Sequence, residues 1–153
     1  MHALPESKRY AETDQETAEI LRRANVLGTE LFGEGGDCWL VEARFHEWDK
    51  GEASWPHVVH AFDAHDKVDD LTWAIFAARV PWHAGAFDAL LRKIADDDPD
   101  VSGAVFWIGV ESGIVFAPYD GGFDMIFPTV EQAVAFRDFR PAWRPGPTYP
   151  GGW

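Results

Sequence analysis

An α+β fold is what this sequence predicts: one domain with a mostly antiparallel sheet of about five strands and three principal helices. Three observations lead there. Residues Ser102–Pro128 hold three apolar runs, and the tight-turn signals Glu111-Ser112-Gly113 and Tyr119-Asp120-Gly121-Gly122 divide them into a meander. Two Thr-x-x-Glu/Gln boxes, Thr13…Glu16 and Thr129…Gln132, mark helix starts. Between them, alternating and near-continuous apolar stretches read as further strands. The domain is expected to run from residue 13 to 143, with a flexible segment 1–12 before it and an extended Pro/Gly-rich tail 144–153 after it.

The first helix follows Thr13, with Ile20, Ala24, Leu27 and Leu31 on one apolar face and Arg22 and Arg23 off it. Gly33, Gly35 and Gly36 end it. Asp37–Trp48 alternates as a half-buried strand, with Trp39, Val41, Ala43 and Phe45 on one side and Leu40, Glu42, Arg44 and His46 on the other. Cys38, at its start, reads as a small packing residue, since nothing beside it would lower its pKa. Residues 49–70 read as a polar, irregular excursion whose Trp55, Val58, Val59 and Phe62 tuck against the body. Leu71–Val80 is a central strand stopped by Pro81. A second helix carries Phe87, Leu90, Leu91 and Ile94 on one face, and Asp96, Asp97, Asp98 and Asp100 terminate it.

In the meander, Val105, Trp107 and Gly109 point one way and Phe106, Ile108 and Val110 the other. Both sets are apolar, which points to a strand covered on both faces or covered on one face by a partner. The Asp-Gly signal calls for a primed turn with positive φ, so Gly121→Val is expected to cost about 1 kcal/mol or more. The third helix runs from Thr129 to about Phe139, and Trp143 packs back after Pro141. Tyr149 and Trp153 in the tail are possible anchors on a neighbour or on the same chain.

The 153 residues suffice for one domain with a real core, and 46% hydrophobic and 25% charged residues are ordinary for a globular chain. Eight Trp and eleven Phe are many for this length, and aromatics serve both cores and binding surfaces. No run is long and apolar enough for a membrane span, and the first residues have no signal-peptide core. The single cysteine leaves a reducing, cytoplasmic location as the expectation. The net charge of −13, concentrated in the first hundred residues, argues against a nucleic-acid partner and suits a protein with a basic surface.

Three residue groups are candidates for chemistry. His57, His60 and Asp63 would share a face on a helix and supply ligands for a divalent metal such as zinc, although the spacing is not that of a zinc hydrolase. Asp63, Asp66, Asp69, Asp70, Asp96, Asp97 and Asp98, with Trp55 as an aromatic anchor, would form an acidic partner-binding surface. Asp120 and Asp124 flank two glycines, so their carboxylates could act as an acid–base pair, hold a cation, or accept turn amides. No Gly-x-Ser-x-Gly, Walker loop or paired-cysteine motif occurs.

Trp82–Ile94, Val105–Ile108, Gly113–Phe116, Tyr119–Ile126 and Trp143 together resemble the C-terminal part of a bacterial family of uncharacterised domains of unknown function. That family has a Tyr-Asp-x-x-Gly-x-Asp-like hairpin followed by a helix and a Trp. The resemblance covers about the last 70 residues, and this chain departs from it with Gly121-Gly122 where relatives carry an acidic-basic pair before the Gly. It implies a fold and assigns no catalytic residue, so Tyr119, Asp120, Gly121, Gly122 and Asp124 are read as a structural turn. The expectation is then a non-enzymatic acidic binding protein with no cofactor, most concretely an immunity or inhibitor protein that neutralises a basic nuclease toxin. A metal-dependent hydrolase built on His57, His60 and Asp63 with Asp120 or Asp124 as base, and a housekeeping interaction domain, are the alternatives. The apolar meander also makes a homodimer an expectation.

Overall fold

The computed structural model describes residues 1–153 apart from 6–7, 46–54, 56, 100, 102–103, 140 and 144–153. The elements run α1 (Asp14–Phe32), β1 (Asp37–Phe45), β2 (Val59–Asp66), β3 (Leu71–Pro81), α2 (Asp88–Ala95), β4 (Ala104–Gly109), β5 (Val115–Tyr119), β6 (Gly122–Ile126) and α3 (Val130–Arg137), closed by a 3-10 turn at Pro141–Trp143. The strands form one sheet in the order β2-β3-β1-β4-β5-β6, and every neighbouring pair is antiparallel. The class is therefore α+β, with six strands where about five were expected.

The additional strand is β2, which lies inside the stretch read as irregular. Nearly all of its residues are exposed, so no apolar alternation announces it. Its backbone pairs with β3, from Val59↔Ala77 to Asp66↔Leu71, with a bulge between His60 and Phe62. An edge strand held by a ladder on one side has little to bury and hence little sequence signature. The expected continuation of β1 through His46 to Trp48 lies outside the described residues, as do Asp100 and the tail with Tyr149 and Trp153.

In α1, Thr13 Oγ1 accepts from Glu16 N at 3.2 Å, and the Glu16 carboxylate accepts from Glu12 N at 2.8 Å rather than from the cap residue. Ile20, Ala24, Leu27 and Leu31 are buried as the spacing requires. Arg23 is not off the helix's buried face: it is only 5% exposed. Its Nε donates to Glu19 Oε1 at 2.7 Å, its Nη1 to the His2 carbonyl at 3.1 Å, and its guanidinium lies 4.9 Å from the Trp143 ring centre. The aromatic ring that folds back from the C-terminal side supplies the cover that a buried cation needs.

The first residues, expected to fray, are part of the sheet's β6 edge. His2 bridges Gly122, Phe123 N donates to the Met1 carbonyl at 2.8 Å, and Ala3 and Leu4 are each 1% exposed. In β1 the buried side is also not the uniformly apolar one. Cys38, Leu40, Glu42 and Arg44 face the core, while Trp39 on the other side is 42% exposed. Arg44 Nε donates to Glu42 Oε1 at 2.7 Å, so the two charges enter the interior as a pair.

α1 and α2 pack on that core side. Trp82 is its centre, with ring centroids of Phe32, Phe87, Trp107 and Phe116 at 5.5–6.0 Å. Cys38 is fully buried among these layers, and burial pushes its thiol up to about 11, which suits packing and not nucleophilic chemistry. The opposite sheet face carries Trp39, Phe45, Trp73, Ile75, Phe106 and Ile108, all half-buried or exposed. Among the described residues no helix is long and apolar enough to cross a membrane.

The meander is as expected in outline. Tyr119 pairs with Gly122, leaving Asp120-Gly121 as the two-residue turn. Its conformation is different: neither Asp120 nor Gly121 has φ in the left-handed region, so the argument for Gly121→Val from positive φ does not hold. The glycine that the hairpin needs is Gly122, where a Cβ would stand 2.3 Å from the Met1 carbonyl oxygen. In α3 both halves of the Thr129/Gln132 capping box form.

Candidate functional site

The antiparallel register sets three connections at one end of the sheet: the β2–β3 turn, the α2–β4 connection and the β5–β6 turn. Asp66, Asp69 and Asp70 occupy the first, Asp96, Asp97 and Asp98 the second and Asp120 the third, while Asp63 and Asp124 sit a few residues inside the strands. With strands about 4.8 Å apart, this acidic end spans about 24 Å from β2 to β6. The aspartates chosen from separate stretches of sequence thus share one end of the molecule.

A cleft of about 430 Å³ opens at this end, where β4 and β5 diverge. The two strands pair only at Trp107↔Phe116 and Ile108↔Val115. Continuing that register would set Val105 opposite Pro118, and Pro118 has no N–H to give to the ladder. The floor is apolar, formed by Ile94, Val101, Val105, Ala117 and Pro118. Asp97, Asp98, Asp120 and Asp124 stand around it with Arg9 and Lys93.

Asp120 is committed to its neighbours. Arg9 Nε donates to Asp120 Oδ2 at 2.7 Å, and the Tyr10 hydroxyl donates to the same oxygen at 2.9 Å. Burial disfavours the charged form of Asp120, but these two hydrogen bonds, the charge of Arg9 and a backbone hydrogen bond together outweigh it and hold its carboxyl below the ordinary value. It therefore accepts from the N-terminal segment and not only from turn amides. Lys93 Nζ lies 3.7 Å from Asp98 Oδ2. Asp97 has φ +52°, a conformation that Asp tolerates better than most residues, and it adds to the field that keeps Arg9 charged. Asp97 and Asp124 make no ion pair among the described residues, so Asp124 is not the partner of a buried Arg.

The metal candidates are not gathered into a ligand set. His57 lies in a turn at φ +73°, while His60 and Asp63 are on β2 and not on a helix. The bulge brings His60 Nε2 to 2.8 Å from Asp63 Oδ1, and His65 Nε2 lies 3.6 Å from Asp70 Oδ1. Among the described residues no group of three or more His, Cys, Asp or Glu could hold a metal ion. Trp55, expected as a surface anchor, is half-buried with its ring 6.4 Å from that of Phe87 and packs against the core.

Arg9, Tyr10 and Lys93 were not legible as site residues. Arg9 and Tyr10 fall in a segment without periodicity, and nothing local ties them to a turn 110 residues away. The buried Glu42–Arg44 pair did leave a signal, since two opposite charges two residues apart in a strand share a face.

A model of the family "Domain of unknown function (DUF3885)" matches residues 1–145, so the relationship spans nearly the whole chain and not only its last 70 residues. No curated protein and no solved structure matches the chain.

Proposed function

The chain belongs to the DUF3885 family of domains of unknown function, and from that premise we propose that it is a non-enzymatic acidic binding protein for a partner with a basic surface. An immunity or inhibitor protein that covers the nucleic-acid groove of a nuclease toxin is the concrete form of this reading. The observation that carries it is the collection of nine aspartates, from Asp63 to Asp124 in sequence, at one end of the sheet. Carboxylates spread over about 24 Å present charge on the scale of a phosphate backbone, and a field of one sign accelerates the approach of a basic groove. The exposed carboxylates of Asp69 and Asp70, beside the half-buried Asp66, keep their water until the partner arrives, so they act on association rate and selectivity more than on final affinity.

Co-expression with the product of the adjacent reading frame tests this. A stoichiometric complex is expected, weakened about tenfold or more between 0.05 and 0.5 M NaCl, with slower association in the Asp66→Asn/Asp69→Asn/Asp70→Asn variant. A complex indifferent to salt and to the triple substitution would sink the electrostatic reading. Absence of any complex with the neighbouring product would sink its immunity-protein form.

A further inference from the structure

We propose that the cleft between β4 and β5 is a receptor for one basic side chain of the partner, an alkylguanidinium group whose methylenes lie on the apolar floor and whose head meets Asp97 and Asp124. The inference rests on the reading of the acidic end as a docking surface, and it names the chemical group that surface takes.

The cleft is a hollow in the sheet's end and not merely a group of acids. It exists because Pro118 cannot continue the ladder to Val105, and its volume of about 430 Å³ lies in the range of sites that bury small ligands. Its two cations are already answered, Arg9 by Asp120 and Lys93 by Asp98. Among the described residues two carboxylates, Asp97 from the end of α2 and Asp124 from β6, make no ion pair and stand on different sides of the hollow, with only the longer-range fields of Arg9 and the Met1 ammonium upon them. An anion would meet more carboxylates than cations there. Among the described residues a bare metal ion would find no set of three ligands. A small hydrated cation would gain nothing from Ile94, Val101, Val105 and Ala117, whereas an alkyl stem would. Between the two long basic side chains, guanidinium is the more weakly hydrated and its planar fork can bond two carboxylates at once, so it loses less on entering a partly apolar site.

The test uses the full chain, N-butylguanidinium as the probe and amide-detected NMR as the readout. Saturable shifts are expected at Ile94, Asp97, Val105, Ala117 and Asp124. Butylguanidinium should bind about fivefold or more tightly than guanidinium ion, reflecting the stem. Asp97→Asn/Asp124→Asn should weaken it about tenfold; both residues are exposed, and Asn suits the positive φ at position 97, so the fold is retained. Pro118→Val, which restores an N–H opposite Val105, should narrow the cleft and weaken the probe while leaving the Asp66–Asp70 turn untouched. Equal binding of the two cations, unchanged binding in the double variant, or non-saturating shifts centred on Asp66–Asp70 would each overturn the proposal. If the probe ignores the cleft while a basic partner still binds in a salt-sensitive way, the receptor is wrong and the docking surface stands. If the probe saturates the cleft and no basic partner binds, the docking reading fails instead.

Discussion

Gly28 shows how much a single residue can hold in place. A Cβ there would stand 2.0 Å from Trp82 Cζ2, and Trp82 is fully buried among four other rings, so it has nowhere to yield. Alanine favours a helix over glycine by about 1 kcal/mol, yet overpacking a dense core costs about 1–3 kcal/mol. Gly28→Ala is therefore expected to lower the urea midpoint. Gly121→Ala should change stability by no more than about 0.5 kcal/mol and so barely move the midpoint, because the added methyl meets only the Arg9 and Tyr119 side chains, at 3.3 Å or more, and φ is not left-handed. Equal midpoints for the two variants would contradict this ranking. Glu19 works in a different way. Hydrogen bonds from Arg22 and then Arg23 hold its carboxyl at about 2, against the opposing effect of burial. A folded-state pKa below the unfolded value stabilises fully above about pH 4.5, and that contribution disappears as pH falls towards 2. Glu19→Gln should thus lower stability at pH 7 and flatten its acid slope between pH 4.5 and 2. An unchanged slope in denaturant titrations at those pH values would show that Glu19 is not the group responsible.

At the level of elements, each one read correctly carries its own local signal. Thr13 and Thr129 cap helices where the boxes stand, and the turn residues between β4, β5 and β6 divide the meander as written. The elements misread depend on the strands they pair with and not on a pattern of their own. β2 is a strand because β3 offers it an edge, and Met1–Ala3 are ordered because Gly121–Phe123 bond to them. Pro118 acts at this level too. It is a buried strand residue that ends one ladder while keeping its place opposite Phe123 in the other. In Pro118→Val the new amide at 118 should exchange with solvent about as slowly as that of Trp107, with contacts between Val105 and residue 118. A freely exchanging amide at 118 would show that the divergence of β4 and β5 has another cause.

For the molecule as a whole, the distribution of charge matters more than its sum. The net charge of −13 is legible from composition, but its concentration at one end follows from the register of six strands. Like charges gathered in this way repel in the folded state more than in an extended chain. Raising NaCl from about 0.02 to 0.3 M shortens the screening length from about 20 Å to under 6 Å, so the melting temperature is expected to rise by a few degrees. A fall would mean that attractive pairs such as Arg9–Asp120 and Arg23–Glu19 outweigh the acidic end.

The amino-acid sequence by itself determined the class, the three helices, the meander and the acidic character, because propensity, capping, turn chemistry and composition act over a few residues. Only the tertiary structure decided which face of β1 is buried, that an exposed polar stretch is an edge strand, that Arg9 reaches Asp120, and that aspartates from the α2–β4 connection, the β5–β6 turn and β6 surround one cleft. Those outcomes depend on strand register and on which surfaces meet, and a chain's local pattern does not encode the position of a partner a hundred residues away.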